Sequence, residues 1–142
     1  MELTRFTDLA LRVILRLAQP GTSDGLGGRE VAAAVGAGTA ELDPVLDRLA
    51  RLDLVTVDPV SGAVALAPSA RDVSIGWIVR HLEGMGDVVD CGGSSPCPLV
   101  CGCRLRAALR EAQQAFFRTL DPILVRDVVP RRTLSLGMPV IR

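Results

Sequence analysis

The stretch REVAAAVGAGTAELDPVLDRLARLDLVTVDPVSGAVAL, residues 29–66, decides the fold. Its opening run of alanines and valines stops at Gly36, which is typical of a helix that ends in a left-handed glycine. Asp43 and Pro44 suit the N-cap and the first position of a second helix, and Thr39 offers an alternative, earlier cap. Valines then alternate with polar residues on both sides of a turn rich in Pro and Gly, which predicts a β-hairpin.

An amphipathic helix precedes this stretch. Apolar residues recur at helical spacing from Leu3 to Leu17, charged residues fall between them, and Pro20 ends the helix. A first helix, a helix-turn-helix and a hairpin then follow one another in the order of a winged helix-turn-helix. We therefore predict a mainly α fold in which residues 1–70 form a winged helix-turn-helix DNA-binding domain with a small β-hairpin wing.

The remainder of the chain predicts a connector and a dimerisation element. Residues 71–103 combine a connecting helix, from Arg71 to Leu82, with a cysteine-rich loop. Residues 104–142 form a long helix and a tail, and the helix keeps apolar residues at helical spacing from Leu105 to Leu120. Because a long single helix outside a small domain needs a partner for its apolar face, we expect a homodimer.

Composition argues against several classes of function. Sixteen basic and 16 acidic residues leave no net charge, and aromatic residues are only 3% of the chain, too few for the stacking platforms of single-strand binders. No apolar run approaches the ~18 residues of a membrane span, and regularly spaced charges near the start argue against a signal peptide, so we expect a cytoplasmic protein. His81 is the only histidine, and no phosphate loop or nucleophile motif is present, so enzymatic activity is not expected.

All four cysteines lie between Cys91 and Cys103, in a segment rich in Gly and Pro. In a reducing cytoplasm, thiols clustered in this way are more often metal ligands than disulfides or unligated thiols. Five residues separate Cys91 from Cys97 and five more separate Cys97 from Cys103, whereas a structural zinc site usually has two short Cys-x-x-Cys pairs. The even spacing favours three corners of an iron-sulfur cluster, with zinc as the alternative, and leaves Cys101 as an extra thiol.

Three features resemble one known family, the iron-sulfur winged-helix transcription regulators that include NsrR, IscR and RirA, and the resemblance is NsrR-like. They are the opening LTRFTDLALR at residues 3–12, the spacing of Cys91, Cys97 and Cys103, and the run Arg104-Leu105-Arg106 that leads into the long helix. Together with the order of the helices, they cover nearly the whole chain. The opening and the cysteine spacing are specific in combination, and either alone is only suggestive.

The resemblance implies a 4Fe-4S cluster bound by Cys91, Cys97 and Cys103, with Asp8 of the partner subunit as the fourth ligand. Cys101 is an alternative ligand for the same iron, and a 2Fe-2S cluster stays open as an alternative cofactor. A carboxylate is a harder and weaker ligand for cluster iron than a thiolate, so the Asp8 corner is expected to be labile and open to nitric oxide. The implied function is a nitric-oxide-sensing, DNA-binding transcriptional repressor, with iron supply or redox state as alternative signals.

The predicted recognition helix and wing carry few cations. Glu41, Asp43 and Asp47 are expected to repel phosphate, and the family's usual Arg-Gly-rich wing tip is replaced here by Asp58–Ala63, which holds no cation. An acidic side chain can still accept a hydrogen bond from cytosine, so base reading remains possible. The alternative function is therefore a cluster-binding family member that has lost specific DNA binding and acts as a carrier or a modulating partner. The candidate contacts to double-stranded DNA are Arg5, Arg29, Thr39, Arg48 and Arg51.

Overall fold

A computed structural model describes residues 2–84, 86–99 and 101–129 of the chain. Within these residues the protein is mainly helical and carries one two-stranded antiparallel sheet. Val55 lies opposite Leu66 and Val57 opposite Val64 in that sheet, so the predicted hairpin is confirmed. The helices are α1 (Arg5–Leu17), α2 (Gly28–Val35), α3 (Thr39–Arg51), α4 (Ile75–Glu83), α5 (Arg104–Leu120) and α6 (Val125–Val128), the strands are β1 (Val55–Val57) and β2 (Val64–Leu66), and a short 3-10 helix spans Pro68–Asp72.

The core lies between α1, α2, α3 and the hairpin. In α1, Val13 and Ile14 are fully buried, and in α3 Leu49 is fully buried as well. Each such aliphatic side chain stabilises the fold by about 1.5–3 kcal/mol relative to exposure. This core fixes the three helices against one another, and the predicted amphipathic face of α1 is its centre.

The turn between α2 and α3 is built around Gly36, which adopts a left-handed conformation with φ of 73°. Its N–H donates to the Ala33 carbonyl, and the N–H of Ala37 donates to the Ala32 carbonyl, so two of the carbonyls at the end of α2 are satisfied. A residue with a β-carbon rarely adopts this φ. The structure therefore confirms that α2 ends at Gly36, as predicted.

The start of α3 differs from the one predicted. The helix begins at Thr39 with Gly38 as its N-cap, about one turn before Asp43, and Pro44 lies inside it. Leu42 is the physical reason, because this residue is 1% exposed and extends the buried face of α3 toward its N-terminus. The Gly38 carbonyl accepts from the N–H of Leu42 at 3.0 Å, which closes the first turn before Pro44 is reached. Thr39 is the first helical residue rather than the cap.

The connecting helix is shorter than the predicted Arg71–Leu82 segment at its N-terminus. It begins only after Ser74, whose hydroxyl accepts from the N–H of Trp77 at 3.2 Å. Arg71 and Asp72 belong to the 3-10 helix instead. Val73 and Ser74 are extended because the chain after α5 returns to pair with this segment: the N–H of Ile75 donates to the Ile123 carbonyl and the N–H of Val125 to the Val73 carbonyl. The segment 123–129 therefore packs against the winged helix. The tail predicted to follow Pro130 lies outside the described residues.

Gly76 in α4 has no room for a side chain. A β-carbon on it would lie 2.4 Å from Asp121 Oδ1 and 2.8 Å from the Asp121 backbone nitrogen, immediately after α5. We expect Gly76→Ala to lower the free energy of unfolding by about 1–3 kcal/mol, because backbone must shift to accept the methyl group. Urea unfolding measures this. Gly28→Ala is the control, because a β-carbon there meets nothing within 4 Å, and equal losses in the two variants would contradict the packing described.

Candidate functional site

The cysteine loop connects α4 to α5. Cys91, Cys97 and Cys103 are half-buried and Cys101 is exposed, and all four are free thiols. Cys103 occupies the N-cap position of α5, directly after Gly102, which has a left-handed φ of 82°. The structure thus distinguishes the exposed extra thiol from the three half-buried ones, which are the three singled out by their spacing.

Two backbone contacts curl the first half of this loop. The N–H of Cys97 donates to the Cys91 carbonyl at 3.2 Å, and the N–H of Gly92 donates to Asp90 Oδ1 at 3.2 Å. Gly93 packs so closely on the same aspartate that a β-carbon would lie 2.2 Å from Asp90 Oδ2. The hydrogen bond between Cys97 and Cys91 brings the backbones of these two cysteines together, and the Asp90 side chain packs on Gly93.

The candidate metal ligands do not lie close together within the single chain. Across residues 2–84, 86–99 and 101–129, no three His, Cys, Asp or Glu side chains lie close enough to hold a metal ion together. The donor chemistry nevertheless fits an iron-sulfur cluster, because three half-buried thiols are soft ligands and lie on a glycine-containing loop that can adjust around iron. The assignment of Cys91, Cys97 and Cys103 as ligands stays a prediction.

Asp8 lies on α1, and its carboxylate is held by arginine. Oδ1 accepts from Arg12 Nε at 2.9 Å and Oδ2 lies 3.5 Å from Arg5 Nη1, while the side chain remains 38% exposed. Its proposed role requires the loop of a second subunit. The geometry leaves the carboxylate accessible to a partner.

Glu83 joins the start of the cysteine loop to α1. Its Oε1 accepts from the Thr4 backbone N–H at 2.8 Å and lies 2.9 Å from the Thr4 hydroxyl. Thr4 is the N-cap of α1, where its hydroxyl also accepts from the Thr7 N–H. Because Glu83 is the last residue of α4, the helix that carries Asp8 and the loop that carries the cysteines share one anchoring point.

Acid is expected to weaken the contact between Thr4 and Glu83. Partial burial raises the pKa of Glu83, but hydrogen bonds from the Thr7 hydroxyl, the Thr4 N–H and the Thr4 hydroxyl together lower this pKa below its ordinary value. A carboxylate with a lowered folded pKa contributes stability that is present above its unfolded pKa and is lost as the pH falls through the folded value.

We therefore expect wild type to be more stable than Glu83→Gln near neutral pH, with the difference shrinking below about pH 4.3. Thermal unfolding between neutral and acid pH measures it. Glu111→Gln, an exposed glutamate on α5, serves as the matched control and should follow the wild-type profile throughout. Parallel pH profiles for wild type and Glu83→Gln would contradict the anchoring role.

Two of the predicted DNA contacts are engaged within the chain. Arg5 Nε donates to Glu41 Oε1 at 3.0 Å, and Arg5 Nη2 donates to the Gly36 carbonyl in the turn of the helix-turn-helix. The Glu41 hydrogen bond and its charge raise the pKa of Arg5. Arg48 Nη2 donates to the His81 carbonyl near the end of α4 at 2.8 Å. Arg5 thus neutralises an acid on the first turn of α3, and Arg48 ties α3 to α4.

The other predicted contacts face outward. Arg29, Thr39 and Arg51 are exposed, and Thr39 is the first residue of the recognition helix. At the wing tip, Asp58 Oδ1 accepts from the N–H groups of Val60 and Ser61, and the backbone hydrogen bond from Ser61 is the largest factor that lowers the pKa of Asp58. The wing is therefore a rigid turn, and Val60 at its tip is 93% exposed.

A family comparison decides the class of this protein. Residues 3–131 match the profile of the Rrf2 family, described as iron-dependent transcriptional regulators. The chain belongs to the Rrf2 family. The match spans the winged helix, the cysteine loop and α5 together.

Individual relatives agree with this family. The Rrf2 chain is 47% identical to the HTH-type transcriptional repressor NsrR of Streptomyces coelicolor, over 97% of this chain and 96% of that protein. It is 33% identical to the HTH-type transcriptional regulator NsrR of Geobacillus kaustophilus, over 93% and 92%. Among solved structures, T. potens IscR superposes with a TM-score of 0.67 at 20% identity, covering 89% of this chain and 85% of that one. Oxidised Staphylococcus aureus CymR gives 0.70 at 19%, covering 92% and 98%.

These findings confirm the predicted winged-helix fold and the NsrR-like resemblance. The family and the relatives are transcriptional regulators, so the Rrf2 chain is a regulator and not an enzyme. His81 suits this, since its ring stacks on Trp77 with centroids 3.8 Å apart and has a packing role. None of the helices in the described part of the chain combines the length and apolar character that a bilayer span needs.

Some residues at this Rrf2 site were not found by sequence reasoning. Glu83 and Asp87, on either side of the loop's first residues, bind Thr4 and two arginines of α5 respectively. The one signal in the sequence is that both acids stand next to the glycines that end α4. Their partners lie far away in the chain, and no local spacing pattern reveals such pairs.

Proposed function

We propose that this chain is a cytoplasmic, homodimeric, iron-sulfur-containing repressor that binds double-stranded DNA and responds to nitric oxide. The observation that carries the proposal is the set of three half-buried, free cysteines on a loop whose start is bonded to α1 and whose end opens α5. The 47% identity to a protein named as an NsrR repressor supports it.

In this proposal, Cys91, Cys97 and Cys103 hold a 4Fe-4S cluster and Asp8 of the partner subunit completes the ligand set. The cluster supplies iron that reacts with nitric oxide. The protein contributes three thiolates from a loop that can adjust its shape and one weaker carboxylate. Arg12 and Arg5 compete for that carboxylate, because both already lie within ion-pair distance of Asp8. A labile fourth ligand is therefore built into α1.

Dimerisation in this proposal is carried by α5. Of its 17 residues only Phe117 is buried in the single chain, and Leu105 is 64% exposed. Ala108 and Ala112 are exposed on the same stripe, so another helix can approach closely there. A second copy of the chain covers this apolar stripe and brings each cysteine loop within reach of the other subunit's Asp8.

Two contacts give the cysteine loop a route to the recognition helix. The last turn of α4 binds Thr4 through Glu83 and Arg48 through the His81 carbonyl. Arg5, next to Thr4, binds both Asp8 and Glu41. In this proposal, a change in the loop or in the Asp8 contact is passed to α3 at Glu41 and at Arg48. Allosteric control of DNA binding requires such contacts to differ between the loaded and the nitrosylated protein.

Contact with DNA in this proposal depends on the exposed residues. Arg29 and Arg51 are available to bind phosphates, and Thr39 lies at the N-terminus of α3, where helix-turn-helix proteins contact base edges. Arg5 lowers the repulsion of Glu41 by pairing with it. Arg48 reaches phosphate only after leaving the His81 carbonyl.

One observation favours a second candidate function. Asp43 and Asp47 are exposed on α3, and no ion pair neutralises either within the described part of the chain. A cluster-binding protein without specific DNA binding, acting as a carrier or as a modulating partner, accounts for this charge. A structural zinc site on the same cysteines is the third reading, and a 2Fe-2S cluster is the alternative iron cofactor.

Footprinting with genomic fragments, under anaerobic conditions, separates these candidates. The loaded dimer is expected to protect a two-fold symmetric site, and nitric oxide is expected to abolish the protection. Arg51→Ala should weaken binding to all sequences alike and reduce the salt dependence, as the loss of a phosphate contact does. If the loaded protein protects no fragment, specific DNA binding is rejected and the second candidate function is favoured. If nitric oxide does not change the protection, the proposed signal is rejected.

A further inference from the structure

Asp87 accepts four hydrogen bonds from arginine, more than any other carboxylate among the described residues. Its Oδ2 accepts from Nε and Nη2 of Arg106, and its Oδ1 accepts from Nε and Nη2 of Arg110 at 3.0 and 2.7 Å. Arg106 and Arg110 are four residues apart on α5, so their guanidinium groups extend from adjacent turns toward the same carboxylate. The residue is exposed, but its side chain is only 24% exposed, because the two arginines cover it.

An isolated exposed ion pair contributes little to stability, but networks with good geometry contribute more. Here one carboxylate takes four N–H donors, so both of its oxygens are fully used. These hydrogen bonds, from Arg110 first and then Arg106, lower the pKa of Asp87. A third turn of α5 adds to the contact, because Gln113 Nε2 donates to the Gly86 carbonyl at 3.0 Å. Residues 86 and 87 are therefore fixed to α5 over three successive turns.

The same residues border the first cysteine. Asp87, Cys91 and Arg106 line one cavity of about 340 Å³ at the start of the loop. The hydrogen bond and charge of Asp87 raise the pKa of Arg106. Its guanidinium therefore stays charged at the cavity that Cys91 lines. By contrast, residues 92–99 make no side-chain hydrogen bond to α5 among the described residues.

The structure assigns Asp87, Arg106 and Arg110 as positioning residues that form a clamp, in which α5 holds the first part of the cysteine loop before any metal binds. The clamp fixes the segment that leads to Cys91 against α5 and keeps the Arg106 guanidinium at the cavity that Cys91 lines. The inference rests on the proposed function for its cluster, and it adds that half of the site is preorganised by the helix proposed to join the subunits. Outer residues that orient ligands in this way commonly change metal affinity by about 10–100-fold when replaced.

Asp87→Asn tests the clamp, because it keeps the shape of the side chain and removes its charge. In the full-length, cluster-free protein, NMR order parameters of the backbone amides of residues 86–89 are expected to fall from about 0.85 to below about 0.6. In the loaded protein, release of iron to a chelator under anaerobic conditions is expected to accelerate by about tenfold. The double variant with Arg110→Gln should release iron no faster than Asp87→Asn alone, because both changes break the same network.

Asp72→Asn is the matched control, since Asp72 also pairs with an arginine, Arg126, but lies far along the chain from the loop. It should leave both readouts at wild-type values. Unchanged order parameters in Asp87→Asn would overturn the clamp. Lower order parameters with an unchanged rate of iron release would overturn its positioning role. If the wild type takes up no iron-sulfur cluster, the proposed function and the positioning role both fall, and the order parameters still decide whether the clamp exists.

Discussion

Replacing Cys97 by alanine is expected to abolish iron-sulfur cluster binding, whereas replacing Cys101 by alanine should leave the cluster in place. Cys97 is half-buried, and its backbone N–H is bonded to the Cys91 carbonyl, so its sulfur lies on the curled part of the loop. Cys101 is exposed on the other side of Gly102 from Cys103. The visible absorption of anaerobically purified variants, together with their iron content, measures the effect.

Cys91→Ala and Cys103→Ala are expected to behave as Cys97→Ala does, because all three thiolates bind the same cluster in the proposed site. The apo forms of these variants should unfold at the same urea concentration as apo wild type, which separates loss of ligands from loss of fold. Iron retained by Cys97→Ala but lost by Cys101→Ala would contradict the choice of ligands.

Replacing Ala112 by arginine is expected to convert the proposed dimer into monomers and to weaken DNA binding by about 10²–10⁴-fold. Ala112 is exposed in the single chain and lies in the middle of the apolar stripe of α5, so the fold of the chain tolerates the change while a second helix can no longer approach. A dimer that contacts two half-sites gains affinity through linkage, and the monomer loses this gain. Analytical ultracentrifugation gives the oligomeric state, and anisotropy titrations give the affinity.

Ala107→Arg is the matched control for this experiment. Ala107 is exposed on the same helix but is rotated by about 140° from Ala112, away from the apolar stripe. The same new side chain at this position should leave the dimer intact. A monomeric Ala107→Arg variant, or a dimeric Ala112→Arg variant, would argue against the stripe as the interface.

Local patterns in the sequence were sufficient for most of the fold. The amphipathic period predicted α1, the left-handed glycine at Gly36 predicted the turn of the helix-turn-helix, and alternation predicted both strands. These features are encoded within a few residues of where they occur. The spacing of the cysteines, combined with the opening of α1, was likewise sufficient for the family.

Features that depend on distant partners were not predictable in this way. The first turn of α3 forms because Leu42 fills the core, and Asp43–Pro44 gave a stronger local signal for a later start. Val73 is extended because Val125 pairs with it, 52 residues away in sequence. Asp87 meets Arg106 only once the loop has folded back on α5. The contacts that position the candidate site could therefore be identified only from the three-dimensional structure.

Native mass spectrometry of the anaerobically purified wild type tests the central claim most directly. The expected result is a dimer that carries four irons and four sulfides per subunit and loses this mass on titration with nitric oxide. A colourless protein that carries zinc or no metal at all would contradict it.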